Sequence, residues 1–149
     1  MAFSFRLQSL LNYRRSLEDL AQIRLTERLS ALSLQETRIR DLTGLRAACQ
    51  QAFQDKAGES APVNELVFYL DFQERSFEQL NRLTDGREKI QGEVQRERER
   101  LLSLTRDRKI LEKLREHQQK GFLQNLDRQE RKEVEDLVVQ RYVGAKKGE

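Results

Sequence analysis

The sequence predicts an all-α protein: a long antiparallel two-helix coiled coil, a helical hairpin with a longer C-terminal helix. Three observations predict it. Charged residues make up 36% of the 149 and hydrophobic ones 37%, with no Trp, a balance that marks long helices rather than a globule. The apolar residues recur at helical spacing. A single proline, Pro62, stands just after Lys56-Ala57-Gly58-Glu59-Ser60-Ala61, the one clear turn signal in the chain. Disorder is the competing reading of such polarity, and the regularly placed Leu, Ile and Phe oppose it. The expected organisation is one hairpin over 1–149: helix 1 about 5–56, a turn about 57–61, helix 2 about 62–142 and a disordered tail 143–149. At 1.5 Å per residue the helices would be about 75 and 120 Å long. Two such rods leave no room for an enclosed active site, so function is sought along them and at their ends.

In the first helix Leu11, Leu25, Leu32, Ile39 and Phe53 share one seven-residue register, and Ala21, Leu42 and Cys49 share a second, three residues away. Leu10, Leu17, Ala31, Leu45 and Ala52 lie beside the first. Together they form a stripe wide enough to bury against a partner helix. Arg14, Glu18, Arg28, Gln35 and Arg46 interrupt it, and these breaks are expected to weaken the pairing. Gly44 adds local looseness, at about 1 kcal/mol relative to Ala.

The second helix opens on Pro62, which suits a first helical position because its missing N–H would have no partner there. Glu65 places negative charge in the first turn, where the helix dipole favours it. Val63, Leu66, Leu70, Gln73, Phe77 and Leu80 give a 3-4 seam that includes Phe77. The seam then drifts through Leu83, Ile90, Val94, Leu101, Leu104 and Leu111 towards Leu114, Gln118, Phe122 and Leu126. Such a drift reads as a stutter. Gly86, Gly92 and Gly121 suggest bends or softer segments.

A short connection makes the helices antiparallel neighbours. Residues 5–56 then cover roughly 64–115, and 116–143 is left without an intramolecular partner. That overhang still carries Phe122, Leu126, Val134, Leu137 and Val138 at helical spacing, with Asp127 and Arg131 placed for an i,i+4 ion pair. An unpaired amphipathic helix needs something to bury its stripe.

Net charge is +3 and unevenly spread. Residues 58–86 hold two basic and six acidic side chains, whereas 87–115 hold ten and six. The acidic turn end also gathers Phe68, Tyr69, Phe72 and Phe77 within ten residues. Phe77 follows the seam. Phe68, Tyr69 and Phe72 form either a protruding patch for another protein, since aromatics anchor interfaces, or a cluster that rigidifies the turn. The tract Gln95-Arg96-Glu97-Arg98-Glu99-Arg100 alternates its charges and has no interleaved aromatic. It reads as a solvated helix face and not as a nucleic-acid footprint, which needs uncompensated positive charge.

Cys49 and His117 are each single. They give no disulfide and no metal-ligand spacing, so Cys49 reads as a small hydrophobe in the stripe and His117 as a solvent-facing residue. No phosphate loop or nucleophile-base pattern occurs. The expectation is a non-enzymatic binding or mechanical element without cofactors. Met-Ala-Phe-Ser-Phe-Arg lacks the features of a signal peptide, and no run is long enough to span a bilayer. A cytoplasmic protein without direct membrane insertion is expected.

The opening Phe5-Arg6-Leu7-Gln8-Ser9-Leu10-Leu11-Asn12-Tyr13-Arg14-Arg15-Ser16-Leu17-Glu18 resembles the N-terminus of the flagellar export protein FliJ family. Leu111-Glu112-Lys113-Leu114-Arg115-Glu116, Arg128-Gln129-Glu130-Arg131-Lys132-Glu133-Val134-Glu135-Asp136-Leu137 and Arg141-Tyr142 are similar to its C-terminal pattern. The middle, around 55–100, has little fixed pattern to match. The resemblance implies a component of the flagellar type III export apparatus, similar to the central stalk subunit of rotary ATPases and needed for flagellum assembly and motility. Its implied partners are the flagellar export ATPase hexamer, the cytoplasmic domain of the membrane export gate, and export chaperones that it can escort. Its implied place is the cytoplasm, peripheral at the cytoplasmic face of the membrane. The overhang suits the ATPase, through Phe122, Leu126, Arg131, Val134, Leu137 and Val138. The family's gate contacts lie early in the second helix, which points to Phe72 with its neighbours Phe68 and Tyr69. Two rivals stand beside this reading. One is the equivalent stalk of a virulence secretion system. The other is a general scaffold or homodimer in which a second chain completes the broken seam.

Overall fold

The computed structural model describes residues 2–148. It contains two helices, α1 (Gln8–Gly58) and α2 (Val63–Lys146), packed against each other as an antiparallel hairpin. Contacts group the chain into two compact units, one from residues up to Glu18 with those from Ser103 onward, the other Asp19–Leu102.

Both inner helix ends differ from the pattern reading in ways that backbone chemistry explains. Gly58 stays within α1, and Ser60 is the residue that enters the left-handed region, at φ 59°. The Ala61 N–H reaches back to the Lys56 carbonyl at 3.2 Å, and the Glu59 N–H shares that acceptor at 3.2 Å. This six-to-one closure around a left-handed residue is a Schellman cap. Pro62, the expected first residue, sits one position before the helix, since α2 begins at Val63. Its carbonyl accepts from Glu65 at 3.1 Å and Leu66 at 3.4 Å, so it caps the helix from outside while its absent N–H goes unmissed. At the outer ends, α1 starts at Gln8 rather than Phe5. α2 continues through Lys146, past the Tyr142 at which the pattern stops it. Glu149, the last residue of the expected tail, lies outside the described residues.

In the Asp19–Leu102 unit the α1 seam follows the first two predicted registers, with Ala21 and Leu42 buried and Leu25, Leu32, Ile39, Cys49 and Phe53 half-buried. Of the third, Ala31 and Ala52 are half-buried, but Leu45 is 59% exposed and lies off the seam. The α2 seam follows the prediction in part: Leu66, Gln73, Leu80, Leu83, Ile90, Val94 and Leu101 turn inward as expected, and Val63, Leu70 and Phe77 do not. Its inward positions are Leu66, Tyr69, Gln73, Ser76, Leu80, Leu83, Arg87, Ile90, Val94, Glu97 and Leu101, an unbroken 3-4 alternation with no stutter. Val63, Leu70 and Phe77 lie outside it and are more than half exposed. The apparent drift arose because Ser76, Arg87 and Glu97 occupy seam positions without an apolar signature. Ser76 is 3% exposed and its hydroxyl bonds to the Gln73 carbonyl at 3.1 Å. Phe77 is not a core residue: the Arg46 guanidinium lies over its outer ring, 5.3 Å from the centroid.

The polar breaks of α1 bridge to α2. Within this unit Gln35 Nε2 donates to the Leu83 carbonyl at 2.9 Å, Gln73 Nε2 donates to the Arg46 carbonyl at 2.9 Å, and Arg28 pairs with Glu93 at 3.0 Å. Gly86 is explained by the first of these bonds, not by flexibility. A Cβ there would meet Gln35 Nε2 at 2.8 Å, whereas a Cβ at Gly44 or Gly92 would meet nothing within 4 Å. α2 is uninterrupted at Gly86, Gly92 and Gly121.

Gly44→Ala and Gly92→Ala are each expected to stabilise the fold by about 1 kcal/mol, the helix-propensity difference. Gly86→Ala is expected to be near neutral, because displacing the Gln35 amide forfeits about 1 kcal/mol. Ser60→Gly should add about 0.5–1 kcal/mol by relieving the left-handed backbone. Urea midpoints of the four variants test this, and equal gains at all three glycines would contradict the packing argument.

Candidate functional site

The unit built from the two chain ends holds the strongest electrostatic cluster. Glu18, 8% exposed, accepts from Thr105 Oγ1 at 3.0 Å and from Arg108 through Nε and through Nη2 at 3.3 Å. Arg108 Nη1 also donates to Glu112 at 2.8 Å, and Arg15 Nη2 donates to Glu112 at 3.2 Å. One turn away Arg14 pairs with Asp107 at 3.2 Å. The hydrogen bond from Arg108 holds the Glu18 carboxyl below its ordinary value, against the opposing effect of burial and with help from Thr105. Glu112 is lowered by Arg108 and, less strongly, by Arg15, again against burial. Arg108 is raised by both carboxylates. A general acid or base at neutral pH needs a carboxyl pushed upward, and here both go down. The cluster is a clamp between α1 and α2.

The expected C-terminal residues divide at Leu126. Phe122 is half-buried, its ring 5.7 Å from that of Phe3 and tilted 49°. Leu126 is half-buried as well. The unpaired stretch therefore starts later than residue 116, because the segment before α1 extends the covered length. From Asp127 to Lys146 every residue of α2 is exposed. Val134, Leu137 and Val138 are 59%, 57% and 61% exposed, and Arg131 pairs with Asp127 at 2.8 Å. Val139, Tyr142 and Val143 belong to the same exposed apolar set. Their nearness to a tail expected to be disordered hid them from pattern reading.

At the turn end Phe68 is 70% exposed and stands edge-on to Tyr69, 6.2 Å between centroids. Tyr69 and Phe72 are half-buried. Tyr69 occupies the seam, and its carbonyl faces Cys49 Sγ at 3.7 Å. Only Phe68 of the three is a freely projecting ring. Beside it Val63, Val67, Leu70 and Phe77 form an outward stripe, all more than half exposed. A seam phased on Tyr69, Ser76 and Leu83 would have revealed that stripe.

Among the described residues no group of His, Cys, Asp and Glu could hold a metal ion, and no helix is long and apolar enough to cross a membrane. The molecule belongs to the class of all-helical, two-helix hairpin proteins, with exposed apolar side chains near the turn and on the α2 extension beyond Leu126. A family model described as Flagellar FliJ protein matches residues 3–147, nearly the whole chain. The chain belongs to the FliJ family and is a component of the flagellar type III export apparatus, a non-catalytic one by family. No curated protein and no solved structure matches it. Of the two secretion systems that periodicity left open, the family match selects the flagellar one.

Both clamp carboxylates titrate below their unfolded value of 4.5, so they contribute stability fully above that pH. The contribution is lost as pH falls through the lower folded values. Glu18→Gln is expected to cost about 1–3 kcal/mol at pH 7, with a smaller difference from wild type below about pH 4. Urea unfolding at pH 7 and pH 3.5 tests this, and an undiminished difference in acid would show that charge is not the cause.

Proposed function

We propose that the protein is the central stalk of the export apparatus, coupling the export ATPase hexamer to the cytoplasmic domain of the membrane export gate. It also escorts export chaperones. It works in the cytoplasm, peripheral at the cytoplasmic face of the membrane, without a cofactor and without binding nucleic acid. The observation that carries this reading is the bare α2 extension. Twenty residues, about 30 Å of helix, project an apolar set that no segment among the described residues covers, next to a clamp that fixes the helices beneath it. A surface of that length suits a protein ring that closes around a helix. The turn end, with Phe68 projecting and acidic residues around it, is the gate-facing end in this reading.

Truncation after Leu126 spares the Phe3–Phe122 contact and removes only the uncovered helix. Co-purification with the flagellar export ATPase is expected to fall at least about tenfold, with the thermal midpoint of the remaining hairpin little changed. Undiminished binding would move the ATPase surface elsewhere. Phe68→Ala and Phe72→Ala are expected to weaken binding to the gate domain, Phe68 more than Phe72 because it is the freer ring. Lost helicity in either variant would instead favour the turn-rigidifying cluster.

A further inference from the structure

The outward side of α1 between Asp19 and Arg40 has the wrong composition for a solvated helix. In a chain that is 36% charged, the positions pointing directly away from the seam are Ile23, Ser30 and Thr37, with Leu20, Glu27 and Leu34 beside them; all six are exposed. The corresponding α2 row in the same unit reads Asp71, Glu78, Asp85, Gly92 and Glu99, charged at four of five places. Leu20, Ile23 and Leu34 are each more than half exposed. The two threonine hydroxyls on this side bond to the helix backbone. Thr37 Oγ1 donates to the Ser33 carbonyl at 3.0 Å and Thr26 Oγ1 to the Gln22 carbonyl at 2.9 Å, leaving their methyl groups outward.

We propose that this face is an isologous interface with a second copy of the chain, α1 lying antiparallel to α1 about a twofold axis between Arg28 and Leu29. Symmetry makes every contact occur twice. With that axis Ile23 packs on Leu34 of the second copy, while the larger Leu20 and Glu27 meet the smaller Thr37 and Ser30. On one flank Asp19 meets Arg40 of the second copy and Thr26 meets Ser33. On the other flank Arg24 meets Ala31. No like charges are paired directly; the two Glu27 side chains flank the axis one layer apart, each against Ser30 of the other copy.

The register is specific. Slipping one heptad either way sets Arg24 against Arg24 or Arg38 of the second copy, and Ile23 against Glu27 or Asp41. A parallel arrangement stacks Glu27 on Glu27. About 33 Å of helix is engaged, which suits a weak, concentration-dependent dimer. This contact uses neither the seam nor the α2 extension and is independent of the stalk reading.

Sedimentation of the full chain from about 1 to 300 µM should show a monomer–dimer equilibrium. Leu34→Glu should weaken it about tenfold or more, with helicity by circular dichroism unchanged. Asp19→Arg and Arg40→Asp alone should each weaken it, and the double variant should restore it, since the pair is reciprocal. A monomer throughout the range overturns the proposal, as does a dimer indifferent to Leu34→Glu. Failure of the charge swap to rescue overturns the antiparallel register. Because the swap alters only exposed residues, it remains decisive even if Leu34→Glu impairs folding.

Discussion

The arrangement depends on the polar residues inside the helix–helix seam. Leucine against leucine is almost indifferent to a shift of one heptad, because one apolar layer resembles the next. Hydrogen-bonded and charged seam residues are not indifferent, since a shift leaves a desolvated group without its partner. Glu18 with Thr105 and Arg108 sets the pairing in the unit of the chain ends. Gln35 with the Leu83 carbonyl and Gln73 with the Arg46 carbonyl set it in the Asp19–Leu102 unit. A heptad slip in the first would move seven residues between the covered and uncovered parts of α2. The clamp therefore determines where the bare extension begins.

The two helices, their unequal lengths and the family were legible in the sequence, because Pro62, the turn residues and both terminal patterns are strong local signals. The α1 seam was legible too, including the five polar positions within it. What was misread was their meaning. A polar residue in an apolar stripe looks like a defect when only one helix is considered, and becomes a contact once the partner's residue is known. The α2 phase was lost in part for the same reason. Ser76, Arg87 and Glu97 carry no apolar signature, so Leu70 and Phe77 drew the seam to the wrong side. Gly86 shows the limit of reading propensity alone: its role depends on Gln35, fifty-one positions earlier in the chain.

Many of the apolar residues that the seam does not use are aligned in sets. They collect on Val63, Val67, Leu70 and Phe77 near the turn, on Leu20, Ile23 and Leu34 along α1, and on Val134 to Val143 in the extension. Single exposed apolar side chains are ordinary on any protein surface, but aligned sets are not. Their alignment on helix faces follows from the helical period, so each set is presented as a strip a second helix can cover.

Polar groups within and apolar groups without are two sides of one composition. A hairpin with a uniformly leucine-rich seam could tolerate register errors and would leave few apolar residues for its surface. Here the Arg87 Nε and Glu97 Oε2 atoms are buried without a protein partner, a cost that lowers the stability of the seam itself. Such a seam is specific before it is strong. Apolar residues that could have strengthened it stand exposed on the helix surfaces instead, where binding of another chain would add to the stability of the fold.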